Sequence, residues 1–170
     1  MKKVIMGVLL GLAVLSVPIQ AKANSLSYID TSESDGIPIE IRQYAELCGS
    51  EFNICPELLE SIAFAESSFN PTAKNGPCYG LMQVNCSIHR ERIEKYRWSA
   101  EDMADPYKNM MIASDYLNEL FEQYEDVGLV LMIYNGNNSA IPEYKRTGTL
   151  SKYATKILNQ SEEWERKHGK

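Results

Sequence analysis

The sequence has few of the features that mark a nucleic-acid-binding, metal-binding or membrane-surface protein. Its 170 residues include 17 lysines and arginines against 23 aspartates and glutamates, a formal net charge of −6, and no basic cluster. An acidic chain of this kind is a poor partner for nucleic acid or for an anionic membrane. Its two histidines, His89 and His168, lie far apart and no C-x-x-C pair accompanies them. We therefore expect neither a metal site nor a cofactor.

Long apolar runs are also scarce. The one candidate covers about residues 4–17, which is shorter than the roughly 20 residues that a membrane-spanning helix needs. It follows a basic start and precedes Pro18 and the A-x-A arrangement of Ala21-Lys22-Ala23, the order of a secretory signal peptide. We therefore expect residues 1–23 to be cleaved on export to the extracellular space, the cell wall or the periplasm. An uncleaved membrane anchor is the alternative.

The remaining 147 residues have the size of one domain. Residues 24–37 are polar, acidic and without periodicity, which predicts a flexible spacer. Residues 38–160 form the predicted domain, which we expect to be monomeric, and residues 161–170 form a charged tail that we expect to fray.

The even number of cysteines in a chain with an export signal makes one or two disulfides an expectation. The four cysteines are Cys48, Cys55, Cys78 and Cys86, and they allow three full pairings. The spacing alone leaves the pairing open.

The apolar residues recur at helical spacing almost throughout the domain, and no stretch alternates clearly enough to predict a strand. Prolines and caps mark helix starts near Pro38, Pro56, Pro106 and Ser151, and Asp105 reads as the cap before Pro106. The sequence therefore predicts a single all-α domain.

One acidic residue stands on the apolar face of the second predicted helix. Leu59, Ile62, Ala63 and Glu66 recur at steps of three and four, so Glu66 projects toward the core. Burial raises the pKa of a carboxyl group unless a partner compensates. A neutral acid near physiological pH can protonate a glycosidic oxygen, whereas a glutamate paired with arginine or lysine would be structural. Helical spacing alone does not separate the two interpretations.

The segments that follow are compatible with a site for amide-bearing sugars. Gly80 could let the backbone approach a ligand, and Gln83 offers both a donor and an acceptor. The Tyr134 hydroxyl, at the end of an apolar helix, needs a partner, for which a carboxyl group or a backbone carbonyl would serve. Each of these residues also fits an ordinary structural role.

Taken together, these segments resemble the lytic transglycosylase domain of the soluble type, glycoside hydrolase family 23, within the goose-type lysozyme-like superfamily. The resemblance covers roughly residues 41–160. Its main motifs are Glu66-Ser67-Ser68-Phe69-Asn70-Pro71, Gly80-Leu81-Met82-Gln83 and Tyr134-Asn135-Gly136.

The resemblance implies a lysozyme-like helical fold whose groove binds peptidoglycan strands. It implies cleavage of the β-1,4 bond between N-acetylmuramic acid and N-acetylglucosamine without water, with Glu66 as the single acid/base. The further roles that it implies are hydrogen bonding near the reacting sugar by Ser67, lining of the groove by Met82 and Gln83, orientation of the Glu66 carboxyl by Tyr134, support of that loop by Asn135, and closure of the far side by Tyr153.

Two other functions remain open at this point. One is a hydrolytic muramidase, in which water replaces the sugar's own hydroxyl as nucleophile. The other is a non-catalytic wall-binding or assembly module of a secretion or conjugation apparatus. Asp105 could serve as a second carboxylate, but its place before Pro106 favours a helix cap.

Overall fold

The structure, a computed structural model, describes residues 36–170. The predicted signal peptide and nearly all of the predicted spacer lie outside these residues. The helices are α1 Ile39–Phe52, α2 Pro56–Ser67, α3 Arg90–Lys95, α4 Pro106–Gln123, α5 Val127–Tyr134, α6 Ile141–Thr147 and α7 Lys152–Lys167, with 3-10 helices at Ala100–Ala104 and Asn138–Ala140. The described part of the chain is therefore mainly helical, as predicted.

The helix starts follow the predicted prolines and caps. α2 begins at Pro56 and α4 at Pro106, where a missing N–H costs no hydrogen bond. Asp105 caps α4, because its Oδ1 accepts a hydrogen bond of 2.9 Å from the Lys108 N–H. Pro38 precedes α1 instead of opening it, a difference of one residue.

The C-terminal end of α2 is a sharp turn. Ser68 and Phe69 follow the helix with φ of 53° and 64°, in the left-handed region that side chains other than glycine seldom adopt. Glu66 is therefore held in the last turn of α2, immediately before the chain changes direction.

A small antiparallel sheet follows α2, and the sequence did not predict it. Its strands are β1 Lys74–Asn75, β2 Cys78–Tyr79 and β3 Val84–Asn85, with Asn75 opposite Cys78 and Tyr79 opposite Val84. The predicted turn around Gly76 joins β1 to β2. Strands of two residues are too short to show the alternation by which strands are recognised.

Two short helices were also not predicted. α3 buries one side chain, Ile93, and α6 buries none. Helices that contribute so little to a core show no apolar stripe in the sequence.

The core lies where α2 packs against α1 and α7 and where α1 packs against α4. The largest fully buried apolar side chains are Leu59, Ile62, Leu81, Met82, Met103, Met110, Ile112, Leu117, Leu131, Met132 and Ile157. In the part of the chain that is described, no helix combines the length and apolar character needed to cross a membrane. Packing on both sides of α2 fixes the helix that carries Glu66.

The predicted fraying of residues 161–170 is wrong, because α7 continues to Lys167. The Trp164 side chain is only 4% exposed and stacks near Phe69 and Phe64, with ring centroids 6.2 and 6.0 Å away. Charged residues surround Trp164 in the sequence, but its buried ring packs on Phe64 and Phe69 and holds this end of α7 on α2.

The last residues also contact the start of α2. Glu57 is 1% exposed, and its Oε1 lies 2.8 Å from Nδ1 of His168 and 2.6 Å from Nζ of Lys170. Burial alone would raise the pKa of Glu57, but the hydrogen bonds from Lys170 and His168 outweigh it and lower the pKa to about 2. Residues 168–170 thus compensate a buried charge.

The four cysteines are free thiols in the structure, in contrast to the expected disulfides. Cys48 is buried in the core, whereas Cys55 is exposed and donates to Glu57. Cys78 lies opposite Asn85, the residue before Cys86. Cys48 and Cys55 therefore differ in exposure, one buried and one at the surface. Cys78 in β2 and Cys86 just after β3 are neighbours but are not bonded.

Removal of the Trp164 ring should destabilise the protein. We expect Trp164→Ala to lower the free energy of unfolding by about 3 kcal/mol, because it removes a buried aromatic anchor. Chemical denaturation would measure the change. Glu162→Ala, at an exposed position of the same helix, is the control and should change stability by less than about 0.5 kcal/mol. Equal stability of the two variants would contradict the role of Trp164.

Candidate active site

A groove of about 490 Å³ borders the Glu66 side chain. Its other lining residues are Asn75, Cys78, Gln83, Val84, Asn85, Ile88, His89, Ala113, Tyr116, Ile133, Tyr134, Asn135, Gly136 and Asn138. These residues come from the sheet and its turns, the segment before α3, α4, and the end of α5 with the residues that follow it. Among the described residues that line this groove, Glu66 is the only carboxylate. An open, mostly uncharged groove beside one acid suits a polymer of neutral sugars.

The Glu66 carboxyl is half-buried and has a single strong partner. The Tyr153 hydroxyl donates a hydrogen bond of 2.6 Å to Oε1 of Glu66. Burial raises the pKa of Glu66, and the hydrogen bond from Tyr153 opposes that rise in part. The net upward shift favours a neutral acid that can still give up its proton.

Tyr153, and not Tyr134, contacts the carboxyl group, which corrects the role expected for Tyr134. The Tyr134 hydroxyl donates a hydrogen bond of 2.8 Å to the backbone carbonyl of Met82. Tyr134 therefore fixes the turn at residues 80–83 while its ring lines the groove. Its own pKa lies well above the usual value, because burial and the nearby Glu66 charge disfavour the phenolate.

Asn109 of α4 holds this turn from the other side. Its Nδ2 donates to the carbonyls of Tyr79 and Met103, each at 2.9 Å, and its Oδ1 accepts from the Met82 N–H at 2.8 Å. Gly80 has φ of 77°, and a Cβ there would overlap the Asn109 amide. The missing side chain at Gly80 therefore makes room for Asn109. We had expected it to make room for a ligand.

Two other predicted substrate contacts have structural roles. The Ser67 hydroxyl donates to the carbonyl of Leu81 at 2.7 Å, so that it joins α2 to the turn and has no proton left for a sugar. The Met82 side chain is fully buried and does not line the groove. Its backbone N–H and carbonyl are bound by Asn109 and Tyr134, so Met82 contributes to the frame of the turn.

Gln83 and Asn135 do lie in the groove wall. Nε2 of Gln83 donates to the carbonyls of Gly80 and Ala73, at 2.9 and 3.2 Å, which leaves the side-chain carbonyl of Gln83 to accept from a ligand. Asn135 is exposed at the C-terminal end of α5.

A row of aromatic rings along the groove was not predicted as part of the site. Tyr116 lies between His89 and Tyr134, with ring centroids 4.6 and 6.0 Å away. The signal for Tyr116 was its spacing, since it follows Ala113 by one helical turn and so shares the same face of α4. No comparable signal marks His89. Burial and the charge of Arg92 lower the pKa of His89, which favours the neutral imidazole.

Metal-ligating side chains do not gather anywhere in residues 36–170 in a group of three or more that could hold an ion.

The sequence is similar to a known protein family and to two known relatives. A family model described as "Transglycosylase SLT domain" matches residues 43–157. The chain is 31% identical over 118 residues to Protein IpgF of Shigella flexneri, which covers 66% of this chain and 74% of that protein. It is 27% identical over 124 residues to the membrane-bound lytic murein transglycosylase E of Buchnera aphidicola, covering 65% of this chain and 55% of that protein.

The fold also has a solved counterpart. An inactive mutant of the lytic transglycosylase Slt from Pseudomonas aeruginosa superimposes with a TM-score of 0.68 at 17% sequence identity. The match covers 88% of this chain and 27% of that one, so the chain spans about a quarter of the larger protein. This likeness confirms the predicted fold class.

Loss of the Asn109 amide should weaken both the fold and the site. We expect Asn109→Ala to lower the free energy of unfolding by about 2–3 kcal/mol, because it leaves buried backbone groups without partners. Thermal or chemical denaturation would measure the loss. Asn118→Ala, whose amide donates only to an exposed glutamate on the same helix, is the matched control and should be nearly neutral. A neutral Asn109→Ala would show that the turn is held by other contacts.

Proposed function

Because the chain belongs to the transglycosylase SLT domain family, we propose that it cleaves peptidoglycan strands with Glu66 as the only acid/base. The bond broken is the β-1,4 linkage between N-acetylmuramic acid and N-acetylglucosamine, and the product carries a 1,6-anhydromuramic end. The observation that carries this proposal is the single carboxylate of the groove, half-buried and hydrogen-bonded to Tyr153.

The first chemical step uses Glu66 as an acid. Its neutral carboxyl protonates the glycosidic oxygen while the bond to the anomeric carbon breaks. The N-acetyl carbonyl of the same sugar stabilises the positive character at that carbon, as in substrate-assisted glycosidases. A second carboxylate is therefore not required, which agrees with the lining of the groove.

The second step uses Glu66 as a base. The carboxylate formed in the first step accepts the proton of the sugar's C6 hydroxyl, and the C6 oxygen bonds to the anomeric carbon. Glu66 thus regains the proton that it gave up in the first step and returns to its neutral state. The hydrogen bond from Tyr153 stabilises the carboxylate between the two steps, while burial keeps its pKa high enough for reprotonation.

Export of the chain belongs to the same proposal, since the substrate lies outside the cytoplasm. The predicted leader, residues 1–23, supports it. A link to a secretion or conjugation apparatus stays a prediction.

Exchange of the carboxyl for an amide tests the acid/base. We expect Glu66→Gln to fold but to lose cleavage of purified sacculi by about three orders of magnitude, because an amide cannot donate the required proton. Release of soluble muropeptides measures the rate. Glu51→Gln, at an exposed position of α1, is the control and should cleave like the wild type. Substantial turnover by Glu66→Gln would remove Glu66 from this role.

Mass spectrometry of the same digests identifies the nucleophile. Products of the wild type should be lighter by one water molecule than the products of a hydrolase and should lack a reducing end. Reducing ends alone would overturn the lytic mechanism in favour of a hydrolytic muramidase. Binding to sacculi without any product would favour a non-catalytic wall-binding module.

Removal of the Tyr153 hydroxyl should change the pH profile. Because this hydroxyl stabilises the Glu66 carboxylate, Tyr153→Phe should raise the pKa of Glu66 and move the alkaline limb of kcat/KM to higher pH. The maximal rate should fall about tenfold, in line with a lost hydrogen bond to a charged group. Tyr134→Phe is the matched control, since its hydroxyl binds a backbone carbonyl. A shifted limb in Tyr134→Phe but not in Tyr153→Phe would contradict the assignment.

A further inference from the structure

A second cavity adjoins the groove at the Ile88-His89 turn. It has a volume of about 320 Å³ and is lined by Ile88, His89, Glu91, Arg92, Lys95 and Asp115. Ile88 and His89 line the groove as well, so the two cavities share a wall. We call the second cavity the side cavity. A branch that leaves a polymer in the groove on this side would cross the wall formed by Ile88 and His89.

The charges of the side cavity are of both signs. Arg92 is occupied within the protein, since its guanidinium binds Asp115 at 2.7 Å and also binds Glu119. Lys95 is held more loosely, with Nζ 3.6 Å from Asp115 and a side chain that is 66% exposed. Glu91 is exposed one turn earlier on α3. Lys95 and Glu91 therefore present an ammonium and a carboxylate to an incoming ligand.

The shared wall is apolar and aromatic. Ile88 is 74% exposed, the highest value among the large exposed apolar side chains of the described residues. His89 is fixed by its contact with the Tyr116 ring. A ligand that crosses this wall meets a methyl-rich surface first and paired charges beyond it, which matches a short peptide with small apolar side chains and charged groups of both signs.

We propose that the side cavity binds the peptide that branches from the glycan in the groove, with Lys95 and Glu91 pairing with the carboxylate and ammonium groups of that peptide. This inference rests on the proposed function, because it takes the groove to hold the glycan strand. It makes the side cavity a determinant of substrate choice: strands that carry peptides bind better than bare strands, and the chemistry at Glu66 is the same for both.

The test compares two substrates, intact peptidoglycan strands and strands from which an amidase has removed the peptides. The wild type should cleave the peptide-bearing strands with a kcat/KM about fivefold higher, and added salt should reduce this preference. The double variant Lys95→Gln/Glu91→Gln should lose the preference, a change of the size expected of two partly exposed ion pairs. Its kcat/KM on bare strands should match that of the wild type.

The matched control is Arg90→Gln/Glu94→Gln. This variant also removes one base and one acid from α3, but the two residues pair with each other at 2.9 Å and border a different depression. It should keep the full preference for peptide-bearing strands. An equal loss in both double variants, or equal cleavage of the two substrates by the wild type, would overturn the inference.

Binding to the Glu66→Gln protein separates this inference from the proposed function. Titration calorimetry with short glycan fragments needs no cleavage, and fragments with peptides should bind about fivefold more tightly than fragments without them. Equal affinities would refute the side cavity as a peptide site, even if the wild type cleaves both substrates. A difference in affinity without cleavage by the wild type would support the peptide site and contradict the proposed chemistry.

Discussion

The backbone of residues 79–83 is the point on which the site depends, because three helices are hydrogen-bonded to it. Asn109 of α4 binds it through two hydrogen bonds, to the Tyr79 carbonyl and from the Met82 N–H. Ser67 of α2 binds the Leu81 carbonyl, and Tyr134 of α5 binds the Met82 carbonyl. Backbone hydrogen bonds satisfy only some of the polar groups of this turn, such as the bond from the Gln83 N–H to the Gly80 carbonyl, and these side chains supply partners for others. Their hydrogen bonds also fix the wall of the groove relative to Glu66.

The position of Glu66 on its helix sets its chemistry. It lies in the last turn of α2, where the partial negative charge of the helix end adds to burial in disfavouring the carboxylate. The Tyr153 hydroxyl is the one strong interaction that favours the charged form. A residue that must be acid and then base needs both influences, since burial alone would leave a poor base and a cationic partner would leave a poor acid.

The sequence predicted the helical class, the starts of α2, α4 and α7, and the inward position of Glu66, because these follow from proline chemistry, caps and helical period. It did not predict which tyrosine reaches Glu66. Tyr134 lies on an apolar helix and Tyr153 on the inner face of an amphipathic one, and only the packing of α7 on α2 brings the hydroxyl of Tyr153 to 2.6 Å from the Glu66 carboxyl. The sequence also did not predict Trp164 as the anchor of α7, since charged residues dominate the composition around it. Helical period can place a residue on the inner face of its helix, as for Ala154, Ile157 and Trp164 of α7, but it does not say which side chain of another helix that residue meets.

The resemblance implied that motif residues such as Ser67 and Met82 contact the substrate, whereas in the structure they make internal contacts. Ser67, Met82 and Gly80 build the frame, and their side chains or backbone are consumed by internal contacts. The surfaces left for a ligand come from Gln83, Asn135, Tyr116 and the Ile88-His89 turn, of which the last two lie outside the three main motifs. A change at Ile88 or His89 breaks none of the hydrogen bonds that hold the turn at residues 79–83. Substrate preference can therefore vary along this groove while the geometry around Glu66 stays fixed.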